Sequence, residues 1–129
     1  MSKAVVKSQK APAAVGPYSQ AIKARGFIFL SGQIPIDPAT GTLIKGGVAA
    51  ETRQVLRNLE AVLKDAGASL NDVVKTTVYL KDISKFTEMN NVYAEFFTEP
   101  YPARATVEVR DLPKGAQVEI DAVAVAAGV

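Results

Sequence analysis

Two charged side chains stand out as candidates for chemistry because both lie in apolar stretches. Arg104 belongs to the alternating stretch 102–109, and Glu119 interrupts the apolar run 118–127. Arginine and glutamate are rarely placed on apolar strands without a partner or a task. From these residues alone, the preferred interpretation of Arg104 is a structural ion pair with Glu119 or Glu108.

The residue types that the chain lacks narrow the chemistry further. There is no Cys and no His, which excludes disulfides, thiolate nucleophiles, Cys/His zinc sites and any triad with a histidine base. A metal would have to be held by carboxylates alone, and no Asp/Glu cluster has the spacing of a calcium loop. The glycines form neither a Walker loop nor a dinucleotide fingerprint. An enzyme of this composition works with Arg, Glu, Asp, Tyr, Ser, Thr, Lys and water, and we expect neither a metal nor a cofactor.

Two strands are predicted to carry the candidate residues. Apolar and polar side chains alternate in residues 102–109, which is typical of a strand, and the apolar run 118–127 is predicted as a second strand. Residues 111–116 contain a Pro and a Gly and are predicted as a turn or short loop. If these strands are neighbours in one sheet, Arg104 and Glu119 lie at the same end of it.

The other elements are predicted from periodicity and from Pro and Gly. Helix 48–66 is the clearest, with apolar residues on one face, Gly67 at its C-terminal cap and a face from Glu51 to Lys64 that we expect to be solvated. Further strands are predicted near Val5-Val6, at about 19–25, at 27–33 and at 73–80, and a second helix at about 84–97. The order β-β-β-α-β-α-β-β predicts an α+β fold in one domain, residues 1–129, with a single mixed sheet of about six strands and two helices on one face.

The predicted sheet has more apolar surface than two helices can cover. Residues 73–80 and 118–127 carry apolar side chains at both odd and even positions. Because the helices cover one face only, the other apolar face must meet something, most simply another copy of the chain. The pattern therefore predicts an obligate homo-oligomer without giving the number of subunits.

The composition, the net charge and the length of the apolar runs limit the partners that the chain is expected to have. The apolar fraction is 48%, the charged fraction is 22% and the net charge is +2. This composition is ordinary for a globular protein, and the low net charge argues against nucleic acid as a partner. The apolar runs are far shorter than a membrane span, and residues 1–7 lack the apolar segment of a signal peptide. No membrane association and a cytoplasmic location are expected.

Several separated motifs resemble one known family. They are Pro102-Ala103-Arg104-Ala105 with Val118-Glu119-Ile120, Gly16-Pro17-Tyr18-Ser19-Gln20-Ala21, Ser31-Gly32-Gln33-Ile34-Pro35, and Asn90 through Glu99. Their types, order and spacing resemble the reactive-intermediate imine/enamine deaminases, also called the YjgF family, over nearly the whole chain. The resemblance implies a fold similar to the small trimeric chorismate mutases. It also implies a homotrimer with sheets facing inward and clefts between subunits.

The resemblance also implies an activity: hydrolysis of 2-imino or 2-enamino acids, such as 2-aminoacrylate, to 2-keto acids and ammonia. Arg104 matches the residue that binds the substrate carboxylate, and Glu119 the residue that positions or activates water. Tyr18 matches the tyrosine that closes over the ligand. The remaining matched positions line the pocket: Ser31, Gly32, Thr106 and Asn90. Thr106 stands where many members carry Cys, which removes any role tied to thiol chemistry.

Two other functions remain open at this point. One is a ribonuclease or translation inhibitor, against which the absence of His and the low net charge argue. The other is a module that binds small keto or amino acids without turnover, as a sensor or in a chaperone-like role. The stripe formed by Phe86, Met89, Tyr93 and Phe96 is predicted to belong to the core.

Overall fold

Six strands form one sheet in the computed structural model of the chain, which describes residues 2–126. The elements are β1 (Ala4–Val6), β2 (Ala21–Ala24), β3 (Phe27–Gln33), β4 (Ile36–Asp37), β5 (Thr42–Leu43), α1 (Gly47–Asp65), β6 (Val73–Leu80), α2 (Phe86–Phe96), β7 (Ala103–Glu108) and β8 (Val118–Val125). The order across the sheet is β1-β2-β3-β8-β6-β7, and only β6 and β7 run parallel. The predicted α+β class with one mixed sheet of six strands is confirmed.

Helix α1 forms where its apolar spacing predicts it. Val55, Leu59 and Val62 are fully or almost fully buried, as expected for one face of an amphipathic helix. The helix ends in a Schellman motif, in which the amides of Gly67 and Ala68 donate to the carbonyls of the last turn. Gly67 adopts φ 82° there, a conformation that costs glycine little.

The two faces of the sheet differ in their cover. Alternation along β8 places Ile120 and Ala122 beneath the helices, where both are buried. Glu119, Asp121 and Val123 project from the opposite face, which we call the open face and which no helix of residues 2–126 covers. Because Phe29 pairs with Val123 across β3 and β8, it also lies on the open face.

The open face is largely apolar. Its exposed apolar side chains include Val5, Phe27, Phe29, Val107 and Val125. This bears out the uncovered apolar face that the sequence predicts, whereas the homo-oligomer that would cover it stays a prediction. None of the helices within residues 2–126 is long and apolar enough to cross a bilayer.

Three predicted features differ from the structure. Strands β7 and β8 are not neighbours, because β6 lies between them. The connection after β3 contains a small hairpin, β4 and β5, since a tight turn over residues 38–41, closed by hydrogen bonds from the Thr40 and Gly41 amides to the Asp37 carbonyl, brings Ile36 opposite Leu43. Strand β8 ends at Val125, so Ala126 is not part of the strand, contrary to the prediction, and Ala127 lies outside the described residues.

Candidate active site

Arg104 is held in a fixed orientation at the edge of the sheet. It pairs in register with Thr76, which is buried beneath the helices, so its side chain lies on the helix-covered face. Its Nη1 donates to Asn90 Oδ1 at 2.8 Å. The guanidinium carbon lies 4.7 Å from the ring centre of Tyr93 and 5.4 Å from that of Phe86. These contacts orient a planar cation without neutralising its charge.

A buried hydrogen bond supports this arrangement. The hydroxyl groups of Tyr93 and Thr76 lie 2.8 Å apart, and burial raises the pKa of the Tyr93 phenol, which therefore stays neutral. The Arg104 cavity, as we name it, is lined by Asn90, Tyr93, Ala94, Tyr101, Pro102 and Arg104. Within residues 2–126, the guanidinium forms no hydrogen bond other than that to Asn90. Its remaining N–H groups are therefore available to a ligand.

Glu119 belongs to a second cavity, of about 530 Å³, on the other side of the sheet. Its carboxylate forms no hydrogen bond or ion pair among the described residues. Burial raises the pKa of the Glu119 carboxyl, and the nearby Asp121 carboxylate raises it further. Asp121 itself accepts a hydrogen bond from the Tyr79 hydroxyl at 2.9 Å. An unpaired carboxylate with a raised pKa is suited to exchanging a proton with water or substrate.

A β-bulge shapes the wall next to Glu119. Between Leu30 and Gln33, two residues of β3 face the single residue Asp121 of β8. The Ser31 hydroxyl donates to the carbonyl of Ser19 at 2.5 Å, which ties the bulge to the preceding loop. A Cβ atom at Gly32 would overlap the Glu119 carboxylate, so glycine makes the space that this carboxylate occupies.

The loop before β2 forms the outer wall of the same cavity, which we call the Glu119 cavity. Pro12, Val15 and Tyr18 line it, together with Lys114 from the loop before β8. Tyr18 is 52% exposed, and its amide donates to the carbonyl of Gly16 at 2.9 Å in a tight turn. The Tyr18 ring is therefore placed beside the Glu119 cavity by a short, constrained loop.

The structure does not bring Arg104 and Glu119 together within one chain. They project from opposite faces of the sheet, with β6 between their strands. The expectation that neighbouring strands place them at the same end is wrong. Within residues 2–126, Arg104 also forms no ion pair with Glu119 or Glu108, and Glu108 instead accepts a hydrogen bond from the Ile83 amide.

The predicted site residues therefore separate into two groups. Asn90 accompanies Arg104, whereas Tyr18, Ser31 and Gly32 accompany Glu119. Thr106 is half-buried, pairs with Val78 and lies on the same side of β7 as Arg104, but it lines neither cavity.

Sequence reasoning missed four neighbours of these groups. Phe86 and Tyr93 were assigned to the core alone, although they also stack on Arg104. Gln20 and Lys114 were not singled out, and both line the Glu119 cavity. The sequence Pro113-Lys114-Gly115 indicates a tight turn, because proline and glycine both favour turns. In the structure, Lys114 and Gly115 both adopt positive φ.

Comparison with known proteins gives concordant matches. Residues 8–126 match the family described as Endoribonuclease L-PSP. A RutC family protein of Pyrococcus abyssi is 56% identical over 124 residues, 96% of this chain and 98% of the relative. The human 2-iminobutanoate/2-iminopropanoate deaminase is 49% identical over 121 residues, 94% of this chain and 88% of the relative. The crystal structure of E. coli TdcF with bound serine matches with a TM-score of 0.89 and 40% identity, over 95% of this chain and 98% of that one.

Proposed function

The chain belongs to the endoribonuclease L-PSP family, whose relatives also carry the name RutC family, and from this premise we propose that it hydrolyses reactive 2-imino and 2-enamino acids to 2-oxo acids and ammonia. The printed name of the human relative is that of a 2-iminobutanoate/2-iminopropanoate deaminase. A solved relative holds serine, a small amino acid. Both support a substrate with a carboxylate next to a carbon–nitrogen bond.

The observation that carries this proposal is the state of Arg104. Its guanidinium is stacked on Tyr93 and fixed by Asn90, and it keeps unpaired N–H groups facing a cavity. A fixed planar fork with free donors suits a bidentate carboxylate, which lysine does not reproduce. In the proposed reaction, Arg104 binds the carboxylate of the imino acid.

Glu119 supplies the proton transfer. An iminium carbon is already electrophilic, so the difficult step is delivery of an oriented water. We propose that water adds to C2 as the Glu119 carboxylate takes one of its protons, which gives a carbinolamine. The proton then passes from Glu119 to the amino group, and the C2–N bond breaks as the hydroxyl group gives its own proton to the Glu119 carboxylate, so that the carbonyl forms and ammonia leaves. Glu119 then releases this proton to ammonia or water, which restores the carboxylate. General base help of this kind contributes about 10²- to 10⁴-fold to the rate.

The complete site requires two copies of the chain. Arg104 and Asn90 form one half, Glu119 and Tyr18 form the other, and they lie on opposite faces of the same sheet. We propose that the halves of adjacent subunits face each other across a cleft in a homotrimer. The exposed apolar side chains of the open face support such an assembly, because they need cover.

Complementation tests the activity and the shared site together. Imino acids are generated by an amino acid oxidase, and disappearance of the semicarbazide-trapped imine is followed. Wild type is expected to accelerate the loss, whereas Arg104→Ala and Glu119→Gln alone are not. When the two variants are co-expressed in equal amounts, three quarters of random trimers are mixed and each holds one intact cleft in three. The expected activity is therefore about one quarter of wild type.

The possible outcomes distinguish the proposed reaction from the proposed cleft between subunits. Wild-type activity without complementation, from oligomers shown to be mixed, contradicts the shared cleft and leaves the activity standing. No acceleration by wild type across several imino acids contradicts the proposed reaction and favours a binding module. An endoribonuclease, as the family description names it, would instead cleave RNA, and a control with labelled RNA measures that directly.

A further inference from the structure

The side chain of Gln20 lines the Glu119 cavity and contacts the N-terminal segment. It is 5% exposed, and its amide is fully engaged. Oε1 accepts from the Ser8 amide at 2.7 Å, and Nε2 donates to the carbonyls of Ser8 at 3.1 Å and of Pro12 at 2.7 Å. One side chain therefore holds a segment that lies eight to twelve positions earlier in the chain.

The backbone of Gln20 connects to the opposite wall. Its carbonyl accepts from the Ser31 amide at 3.0 Å, and the neighbouring Ser19 carbonyl accepts from the Ser31 hydroxyl. Ser31 belongs to the bulge beside Glu119. Gln20 thus links the N-terminal segment on one side to the Glu119 wall on the other.

The segment that the Gln20 amide holds is otherwise fixed mainly by Ala11, which is buried in the core. Residues 7–20 contain no helix or strand, and the Lys10 amide donates to the Ser8 hydroxyl within the segment itself. Pro12, Ala13 and Val15 from this segment nevertheless line the cavity. A wall without secondary structure keeps its position only if its backbone groups have partners, and here Gln20 provides them.

We propose that Gln20 is a positioning residue that holds Ser8 and Pro12, and with them the stretch from Pro12 to Tyr18 that walls the Glu119 cavity, and thereby sets the affinity for the imino acid. This inference rests on the proposed function for its ligand. Gln20 acts through the wall and takes no part in the proton transfer assigned to Glu119. Its loss therefore weakens binding of substrate and transition state alike, which raises KM and leaves kcat nearly unchanged.

The test replaces only the donor. Gln20→Glu keeps the shape and the acceptor for the Ser8 amide but cannot donate to the two carbonyls. Gln9→Glu adds the same charge on an exposed side chain of the same segment, which has no hydrogen bond among the described residues, and serves as the matched control. Gln20→Met removes the amide without adding charge, and it decides the question if Gln20→Glu does not fold.

Two readouts are expected to change together. KM for imine hydrolysis rises by about tenfold in Gln20→Glu, as expected for lost hydrogen bonds at a buried site, whereas Gln9→Glu stays within about twofold. Hydrogen exchange accelerates at the Ser8 amide in Gln20→Met, which removes its acceptor, and at the Lys10 amide of the loosened segment. The Ser31 amide is an internal control, because its partner is the Gln20 backbone carbonyl, which no substitution removes.

Each opposite result overturns the inference. An unchanged KM with a lower melting temperature assigns Gln20 a structural role only. Unchanged exchange at Ser8 and Lys10 in Gln20→Met means that the Gln20 amide does not hold the segment. If wild type does not hydrolyse imines, the proposed function fails, and the positioning role is decided by the exchange data and by the Kd for 2-oxobutanoate. A lack of change in the exchange rates then contradicts it without any ligand.

Discussion

Replacing Arg104 by lysine separates the shape of the cation from its charge. The lysine side chain would keep the positive charge but lose the planar fork, the hydrogen bond to Asn90 and the stacking on the two rings. A charge-assisted hydrogen bond contributes about 1.5–3 kcal/mol, and an exposed cation–π contact about 0.5–1 kcal/mol. If the substitution removes one of the two hydrogen bonds to the substrate carboxylate and one cation–π contact, the transition state loses about 2–4 kcal/mol of binding free energy. We therefore expect kcat/KM to fall by about 30- to 900-fold in Arg104→Lys.

Stability provides the second half of this prediction. If Arg104 were paired with a buried carboxylate, its removal would cost about 3–5 kcal/mol of unfolding free energy. The structure pairs it with the neutral Asn90 amide and with aromatic rings instead. Arg104→Ala is therefore expected to lower the free energy of unfolding by only about 1–2 kcal/mol.

The assay combines kinetics with thermal denaturation. Imine loss is measured for wild type, Arg104→Lys and Arg104→Ala, with melting curves on the same preparations. Arg53→Lys is the matched control, because Arg53 forms an ion pair with Glu95 at 2.6 Å between the helices and lies in neither cavity. An Arg104→Lys variant with activity within about threefold of wild type would refute the bidentate grip. A large fall in melting temperature with full activity in the folded fraction would refute the ligand-binding role.

Three further predictions concern the Glu119 cavity. Burial and the Asp121 carboxylate raise the pKa of Glu119. The fall of kcat/KM with decreasing pH should therefore lie above the usual range of a glutamate, and Asp121→Asn should move it to lower pH; a pH–rate profile that does not move contradicts the coupling. Folded Glu119 binds its proton more tightly than unfolded Glu119, so the free energy of unfolding decreases as pH rises through the raised pKa. Glu119→Gln should therefore abolish hydrolysis yet raise the melting temperature at neutral pH, with the gain absent at acidic pH; an equal gain at all pH values argues for a packing effect. Gly32→Ala should displace the Glu119 carboxylate and lower kcat by about 10- to 100-fold with little change in melting temperature. Gly41→Ala, where a Cβ atom meets open space and which is not part of the cavity lining, tests only the strain of positive φ.

Elements with a strong local signal were predictable from the sequence. The period of α1 and the glycine after it are properties of neighbouring residues, so the helix and its Schellman end follow from the chain itself. The alternation along β7 likewise gives the correct strand. The uncovered apolar face was predictable too, because two helices cannot cover both sides of a six-stranded sheet.

Placement across the sheet was not predictable in the same way. Whether β6 or β7 lies next to β8 depends on long-range pairing, which no local pattern specifies. The face on which Arg104 lies follows from that pairing, and the expected meeting with Glu119 failed for this reason. The prediction for Glu51 is wrong for the same reason. The sequence predicts it on a solvated helix face, yet it is buried and accepts hydrogen bonds from Gln117.

In the proposed trimer, the open face both contacts the neighbouring subunit and carries the catalytic Glu119. Glu119 projects from the open face, and the apolar side chains that need cover, such as Phe29, project from it as well. Covering this face with a neighbour removes more water from Glu119, which raises the carboxyl pKa further, since desolvation is already its largest cause. In the proposed trimer, the same neighbour presents its stacked Arg104 to the substrate carboxylate. A single chain holds Arg104 on one face of the sheet and Glu119 on the other, so the proposed reaction depends on association.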